Sequence, residues 1–233
     1  MRTLTFLTWG EFQSFITDYC RHPLERRRQL LFRGQSSALW KLVTTLDREH
    51  PAFPSNQARE DFFANLLRRF RRESLQLDRE ELWQLQGDAL EFKARHHGLP
   101  TPIIDWSESP YIAAYFAFAN ASPSKHPTVA IWVLDRALLA DDLNSVTIID
   151  DEALLARNRR AIHQRGVVMR VKSVTQPLEA VLESALTKLE MPAAEAAIAL
   201  AHLDEMTITE TTLFGDLDAA ASAVSYRELR SGG

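Results

Sequence analysis

The alternation of apolar and polar positions along the chain predicts helices and strands in an irregular order. Residues 8–20 carry Phe12, Phe15 and Ile16 at helical spacing, and residues 30–32 form a short apolar run of strand type. After Trp40, Leu42, Val43 and Leu46, a turn over 51–55 leads into a helix. On it Phe62, Phe63, Leu66, Leu67 and Phe70 make one apolar stripe, with Arg68, Arg69, Arg71 and Arg72 mostly off it. A further helix bears Leu82, Trp83, Leu85, Leu90 and Phe92. Residues 102–105 read as a strand, and Ser109-Pro110 as a helix start with serine as cap and proline in the first helical position. The helix 111–119 is apolar on nearly every side, which predicts burial. Residues 128–134 suit a strand covered on both faces, and 146–149 and 166–171 are further strands. The last third reads as helical, over 178–189, 193–203 and 217–229. No strand-helix-strand unit repeats, so the class predicted is α+β, with mixed small sheets and surrounding helices.

Composition changes this picture little. The chain has 233 residues, 45% of them hydrophobic, with 8 Gly and 10 Pro, as in an ordinary globular protein, and one domain over 1–233 is expected. A formal net charge of -4 gives no general attraction to nucleic acid or anionic membrane. No apolar run approaches the roughly 20 residues of a membrane helix. The start of the chain lacks the pattern of a signal peptide, and a cytoplasmic protein is expected. Cys20 is the only cysteine, which excludes an internal disulfide and multi-cysteine zinc frameworks, and reads as a small core hydrophobe.

Polar chemistry concentrates in two places. In the first, Leu30-Leu31-Phe32-Arg33-Gly34-Gln35 sets an arginine inside an apolar run. A guanidinium there needs partners. Two readings stand level: a cleft-lip arginine that takes a phosphate or carboxylate bidentately beside Gly34, where backbone can approach a ligand, or an internal ion pair with Asp105. In the second, residues 95–110 hold His96, His97, Asp105, Trp106, Ser107 and Ser109 between a strand and an apolar helix. The two histidines are adjacent and would point to opposite faces of a strand, and no ligand pattern accompanies them, so no metal site is expected. Asp105, Ser107 and Ser109 lie where a helix N-terminus favours anions, though Ser109 is first of all a cap. The arginine runs 26–28 and 68–72 read as solvated surface, and RNA binding through them would require the two to converge. No GxSxG, P-loop or GxGxxG motif is present.

On these residues the chain resembles the FRG-domain family of bacteria and phages. Phe32-Arg33-Gly34-Gln35 is followed by Trp40, Leu42 and Arg48 at similar spacings, with Glu60 and Phe70 on the next helix. His96-His97-Gly98-Leu99-Pro100-Thr101, Asp105-Trp106, Ser109-Pro110 and Ala114-Tyr115-Phe116-Ala117 match the central signature. Gln164-Arg165-Gly166-Val167 and Leu213-Phe214-Gly215-Asp216-Leu217-Asp218 resemble its later motifs. Pro102, Ile103 and Gly215 depart from the residues usual there. A more distant likeness, in motif order, is to arginine-serine-glutamate ADP-ribosyltransferases. It implies an ADP-ribosyltransferase-like fold and NAD or a related nucleotide as substrate, with no metal, in transfer of ADP-ribose to an acceptor such as a protein, or cleavage of NAD. Carried over, Arg33 holds the phosphates with Gly34 beside it, and His97 and Gln35 bond ribose or adenine. Trp106 or Tyr115 lines the nicotinamide side, Ser107 and Ser109 brace the pocket, and Gln164 stands on the late strand of the site. The late carboxylate would be Asp105 or Glu210, the latter on a segment that reads as a strand, since no Gln-x-Glu or Glu-x-Glu pair follows Gln164. A non-catalytic nucleotide- or protein-binding module is the alternative. A role in phage defence is what the family's occurrence implies.

Overall fold

In a computed structural model the residues described are 1–50, 52–77, 84–139, 145–151, 155, 158–173, 177–215, 218–221 and 224. The elements in chain order are β1 (Arg2–Thr5), α1 (Trp9–Cys20), α2 (Leu24–Arg27), β2 (Leu30–Gln35), α3 (Thr45–Glu49) and α4 (Asn56–Ser74). They continue with α5 (Gly87–His96), β3 (Ile103–Ser107), α6 (Pro110–Phe118), β4 (Thr128–Asp135), β5 (Val146–Ile149), α7 (Arg159–His163) and β6 (Gly166–Val171). The last are α8 (Leu178–Val181), β7 (Leu186–Pro192), α9 (Ala196–Glu205) and α10 (Glu210–Phe214). The fold is mixed α+β. Instead of several small sheets, the described strands form one seven-stranded sheet in the order β1-β7-β4-β2-β3-β6-β5. Only β1 and β7 run parallel; the other neighbours are antiparallel.

Helices cover one face of the sheet around Phe32, Val129, Ile131 and Leu189, where Trp9, Phe12 and Ile16 of α1, Ala113, Ala114 and Ala117 of α6, and Ala199 and Leu203 of α9 close the larger core. On the other face Leu31, Trp106, Trp132 and Val167 pack with Leu42, Leu178 and Leu182. Helix α6 forms as its sequence predicts: the Ser109 hydroxyl accepts from the Ile112 N–H at 3.3 Å and Pro110 opens the helix. Its all-round apolar surface is explained by its place between the sheet and α9.

Several expectations are corrected. Residues 178–189 are not one helix but the single turn α8 and the strand β7. Strand β7 lies between β1 and β4 and buries Leu186 on one face and Leu189 and Met191 on the other, so its apolar spacing mimics a helix. His96 and His97 lie at the C-terminal end of α5, not in a strand, and Glu210 opens the helix α10, capped by Thr209. Strand β1 had no local signature and exists through its pairing with β7. Cys20 is exposed at the end of α1, outside the core. In α4, Phe63 is buried while Phe62 is largely exposed, so the stripe is narrower than the pattern implied. Pro51, Leu82, Trp83 and most of 217–229 lie outside the described residues. Among the described residues no helix is long and apolar enough to cross a membrane.

Helix α5 is tied to the sheet by a charged cluster. Glu91, 2% exposed, meets Arg170 of β6, and Arg170 also pairs with Glu60 of α4 and Asp88. The second carboxylate oxygen of Glu91 has no partner. Burial pushes the Glu91 carboxyl up from 4.5 to about 7, with Asp88 and Glu60 adding to the rise and Arg170 and Arg59 opposing it. The folded protein therefore keeps a proton that the unfolded chain releases. Stability from this group falls as pH rises from about 4.5 through about 7, and is level above. Glu91→Gln is expected to flatten that part of the stability–pH curve and to gain most over wild type near pH 8. Urea titrations at pH 5 and pH 8 check it; the same pH difference in both proteins would contradict it.

Candidate functional site

The sheet is nearly parted in its middle. Strands β2 and β4 pair over six residues from Leu30 to Gln35, and β3 and β6 over five, but β2 and β3 share only the pair Phe32 and Ser107. Beyond that pair the strands diverge, and a cleft of about 1480 Å³ lies along the parting. It is lined by Phe32 to Ser36 of β2 and the following loop, Asp105 to Ser107 of β3, Arg95 and His96 of α5, Arg48 of α3, and Arg160 and Gln164 on and after α7.

Arg33 stands where the ladder stops. Its Nη1 donates to the backbone carbonyl of Asp105 at 2.7 Å, so a guanidinium takes the carbonyl beside the parting. Burial lowers its pKa to about 10, opposed by Asp105 and assisted by Arg95 and Arg48; it remains charged at neutral pH. The Asp105 carboxylate is held by Arg95, whose Nε donates to its two oxygens at 2.9 and 3.1 Å and whose Nη2 makes a further close contact. Arg95 is itself oriented by Thr101 Oγ1 at 3.2 Å. Burial would raise the Asp105 pKa, but the charge and hydrogen bonds of Arg95, and then Arg33, hold it below the usual carboxylate range.

Arg33 lines the cleft, and the ion pair with Asp105 expected of the second reading is not made by it. It contacts Asp105, but through the carbonyl, and the ion pair belongs to Arg95. Asp105 faces two guanidinium groups, Arg95 and Arg33, and Arg48 adds its charge near Arg33. Counting all described lining residues, Arg33, Lys41, Arg48, Arg95 and Arg160 face Asp47, Asp105 and Glu179. Asp47 is already spent on the fully buried Arg59, at 2.6 and 2.8 Å. The cleft is therefore cationic in a protein that is acidic overall. A partly dry, cationic cleft with planar donors attracts phosphate or carboxylate groups.

The other expected residues divide. Gln35 lines the cleft, but its amide accepts from Trp132 Nε1 at 2.6 Å and donates to the Lys41 carbonyl at 3.2 Å. Gly34 is required by packing: an added Cβ would lie 1.9 Å from the Ala113 carbonyl oxygen of α6, so the close approach is to a helix and not to a ligand. Ser107 Oγ donates to the Gln164 carbonyl at 2.7 Å and accepts from Ser109 N–H at 3.0 Å, and Ser109 caps α6. The serine segment is thus a brace between β3, the turn before β6, and α6. Gln164 caps the end of α7 two residues before β6, rather than standing on the strand. Of the histidine pair, His96 lines the cleft and His97 does not; burial, then Arg160, His97 and Lys93, lower the His96 pKa and keep it neutral. Tyr115 and Glu210 lie in a second pocket of about 220 Å³, with Phe116, Asn120 and Phe214 common to both.

Sequence reasoning passed over Arg95, Lys41, Arg160 and Glu179 as site residues. Arg95 had a local signal, since it stands at the end of a helix immediately before the histidines. Glu179 had none: it reaches the cleft from α8 and accepts from Leu42 N–H at 2.6 Å. One member of each arginine run is engaged within the fold. Arg26 pairs bidentately with Asp135 at 2.5 and 2.8 Å, and Arg71 donates to the Leu85 carbonyl. No cluster of metal-ligand type occurs among the described residues.

Fold and cleft together define an α+β protein whose mixed sheet parts at the centre over a cationic site. Residues 28–126 match the family model of the FRG domain, and the chain therefore carries an FRG domain. The matched span contains Arg33, Arg48, Arg95 and Asp105, and so most of the charged cleft. No curated protein and no solved structure gives a match.

Proposed function

We propose that the cleft binds NAD through its pyrophosphate and that the protein transfers ADP-ribose or cleaves NAD at the nicotinamide–ribose bond. One observation carries this reading: Arg33, Arg48 and Arg95 line one partly buried cleft in which basic side chains outnumber carboxylates. Its volume exceeds the roughly 300–1,000 Å³ usual for small-ligand pockets. An extended dinucleotide therefore fits with room for an acceptor. Arg33, Arg48 and Arg95 supply the planar donors for the phosphates. In the reaction the bond between ribose C1′ and the nicotinamide nitrogen breaks and its electron pair leaves with nicotinamide. Water or an acceptor nucleophile then bonds C1′ and gives up a proton. Positive charge grows on the ribose, and a fixed carboxylate beside it supplies the main electrostatic stabilisation. Asp105 is the carboxylate in contact with Arg33, through its carbonyl, whereas Glu210 lines the side pocket and not the cleft. The setting proposed is the cytoplasm, in conflict between bacteria and phages, as the family resemblance implies.

A second reading, nucleotide binding without turnover, is favoured by the Asp105–Arg95 pairing, which leaves that carboxylate already neutralised. Calorimetry with NAD, and chromatography of released nicotinamide, separate the two. Wild type is expected to bind and release, and Arg33→Ala to lose more than about tenfold in affinity. Binding without release would establish the second reading. Neither binding nor release would remove NAD from the account.

A further inference from the structure

Three buried tryptophans of the described chain differ in one respect. Trp9 donates its indole N–H to His202 Nδ1 at 2.9 Å, and Trp132 donates to Gln35 Oε1 at 2.6 Å. Trp106, only 3% exposed, leaves its Nε1 buried and without a partner. Buried indole N–H groups normally find an acceptor, and an orphan costs about 1–3 kcal/mol. Trp106 is also the one of the three that lines the cleft. It lies on the open side of the parting. Trp106 directly follows Asp105, whose carbonyl takes Arg33 Nη1, and its side chain packs on the face away from α6. A neutral donor with no acceptor is thus kept next to a guanidinium that uses one of its donors on a backbone carbonyl. Trp132, on the neighbouring β4 and opposite Arg33, has its acceptor built in; Trp106 has none.

We infer that Trp106 is a ligand-directed donor, whose indole N–H bonds a phosphoryl oxygen of the anion that Arg33 holds when the cleft is filled. This rests on the cleft being an anion site and deepens the reading above by assigning the oxygen that Trp106 recognises. In the unfilled cleft the N–H is shielded, so the filled state includes a small shift of the indole or the β2 lip. Specificity follows: an anion lacking an oxygen at that position leaves the donor orphaned and is bound more weakly.

The test is calorimetric binding of NAD, ADP-ribose, pyrophosphate and nicotinamide to wild type and Trp106→Phe, which keeps the aromatic bulk and removes the N–H. Expected are losses of about tenfold for the three phosphate ligands and none for nicotinamide, with the unliganded variant melting no lower than wild type. Affinities within about twofold of wild type for all ligands would overturn the inference, as would a loss confined to nicotinamide. If wild type binds pyrophosphate but not NAD, the NAD reading fails and Trp106 is decided on pyrophosphate alone. Wild type that binds none of the four overturns both. Should Trp106→Phe not fold, the Trp106 indole N–H resonance of wild type, assigned by elimination from Phe replacements of the other tryptophans, is followed during pyrophosphate titration. A downfield shift supports the bond, and an unmoved resonance at saturation overturns it.

Discussion

Gly34→Ala is expected to cost about 3 kcal/mol or more of stability, one of the largest losses available to a single methyl group in this protein. Its Cβ would meet the Ala113 carbonyl oxygen at 1.9 Å and the Ala117 nitrogen at 2.5 Å, and both are backbone atoms of a helix. No side chain can swing aside. Either β2 separates from α6, opening the core that holds Phe32, Ala113 and Ala117, or α6 shifts and breaks the Ser107–Ser109 brace at its start. For a domain of this size the loss corresponds to a fall in melting temperature of about 6–12 °C. Thermal unfolding of the variant checks it, and a change under about 2 °C would show that the packing is looser than described. The result also bears on the meaning of the Phe-Arg-Gly triplet. Phe32 fills the helix-side core, Gly34 lets the helix come down on the strand, and Arg33 between them turns to the cleft. The two flanking residues fix the strand so that the arginine has one place to go.

How far this was legible in the sequence depended on whether the cause was local. Ser109-Pro110 announces α6 because cap and proline act within one turn, and the apolar alternation of 128–134 gives β4 because that strand is buried on both faces. Strand β7 was misread because its buried positions Leu186, Leu189 and Met191 are split between the two faces at uneven spacing, which hides the period of two that marks a strand. Strand β1 is polar and exposed and exists only because β7 offers it an edge. At the site, the segments around Arg33 and Asp105 were found because charge in an apolar run is rare. The partner of Asp105 was not, since Arg95, ten residues earlier, meets it only through the way the turn after α5 returns the chain to β3. His97 was preferred to His96 by position in a motif, whereas the winding of α5 decides which ring faces the cleft. Above all, the parting of the sheet is a property of one missing ladder between β2 and β3, and neither strand alone carries a sign of it.

Asp105→Asn should lower stability and raise anion affinity together, while abolishing any release of nicotinamide. The carboxylate offsets the charges of Arg95 and Arg33, and an amide of the same shape leaves those two guanidinium groups, with Arg48 near Arg33, without it. Losing one partner of a fully buried pair costs about 3–5 kcal/mol; here Asp105 is 48% exposed and solvent screens part of it, so about 2 kcal/mol is expected. The sign with pH follows from its lowered pKa. The folded protein binds fewer protons than the unfolded chain, so this stabilisation is present above the unfolded value of 3.8 and disappears as pH falls through the lower folded value. The wild-type advantage over Asp105→Asn is therefore full at pH 7 and shrinks under strongly acid conditions. With the Asp105 charge gone, a phosphate meets less competition for the arginines of the cleft. Pyrophosphate is then expected to stabilise the variant more than wild type, by thermal shift at pH 7. Should the variant bind NAD more tightly yet release no nicotinamide, while wild type releases it, Asp105 has two separate duties: it holds the arginines apart in the empty cleft, and it carries the charge that the breaking bond requires. Release by the variant at the wild-type rate would leave it only the first, and would move the search for the second carboxylate to Glu179, which reaches the same cleft from α8.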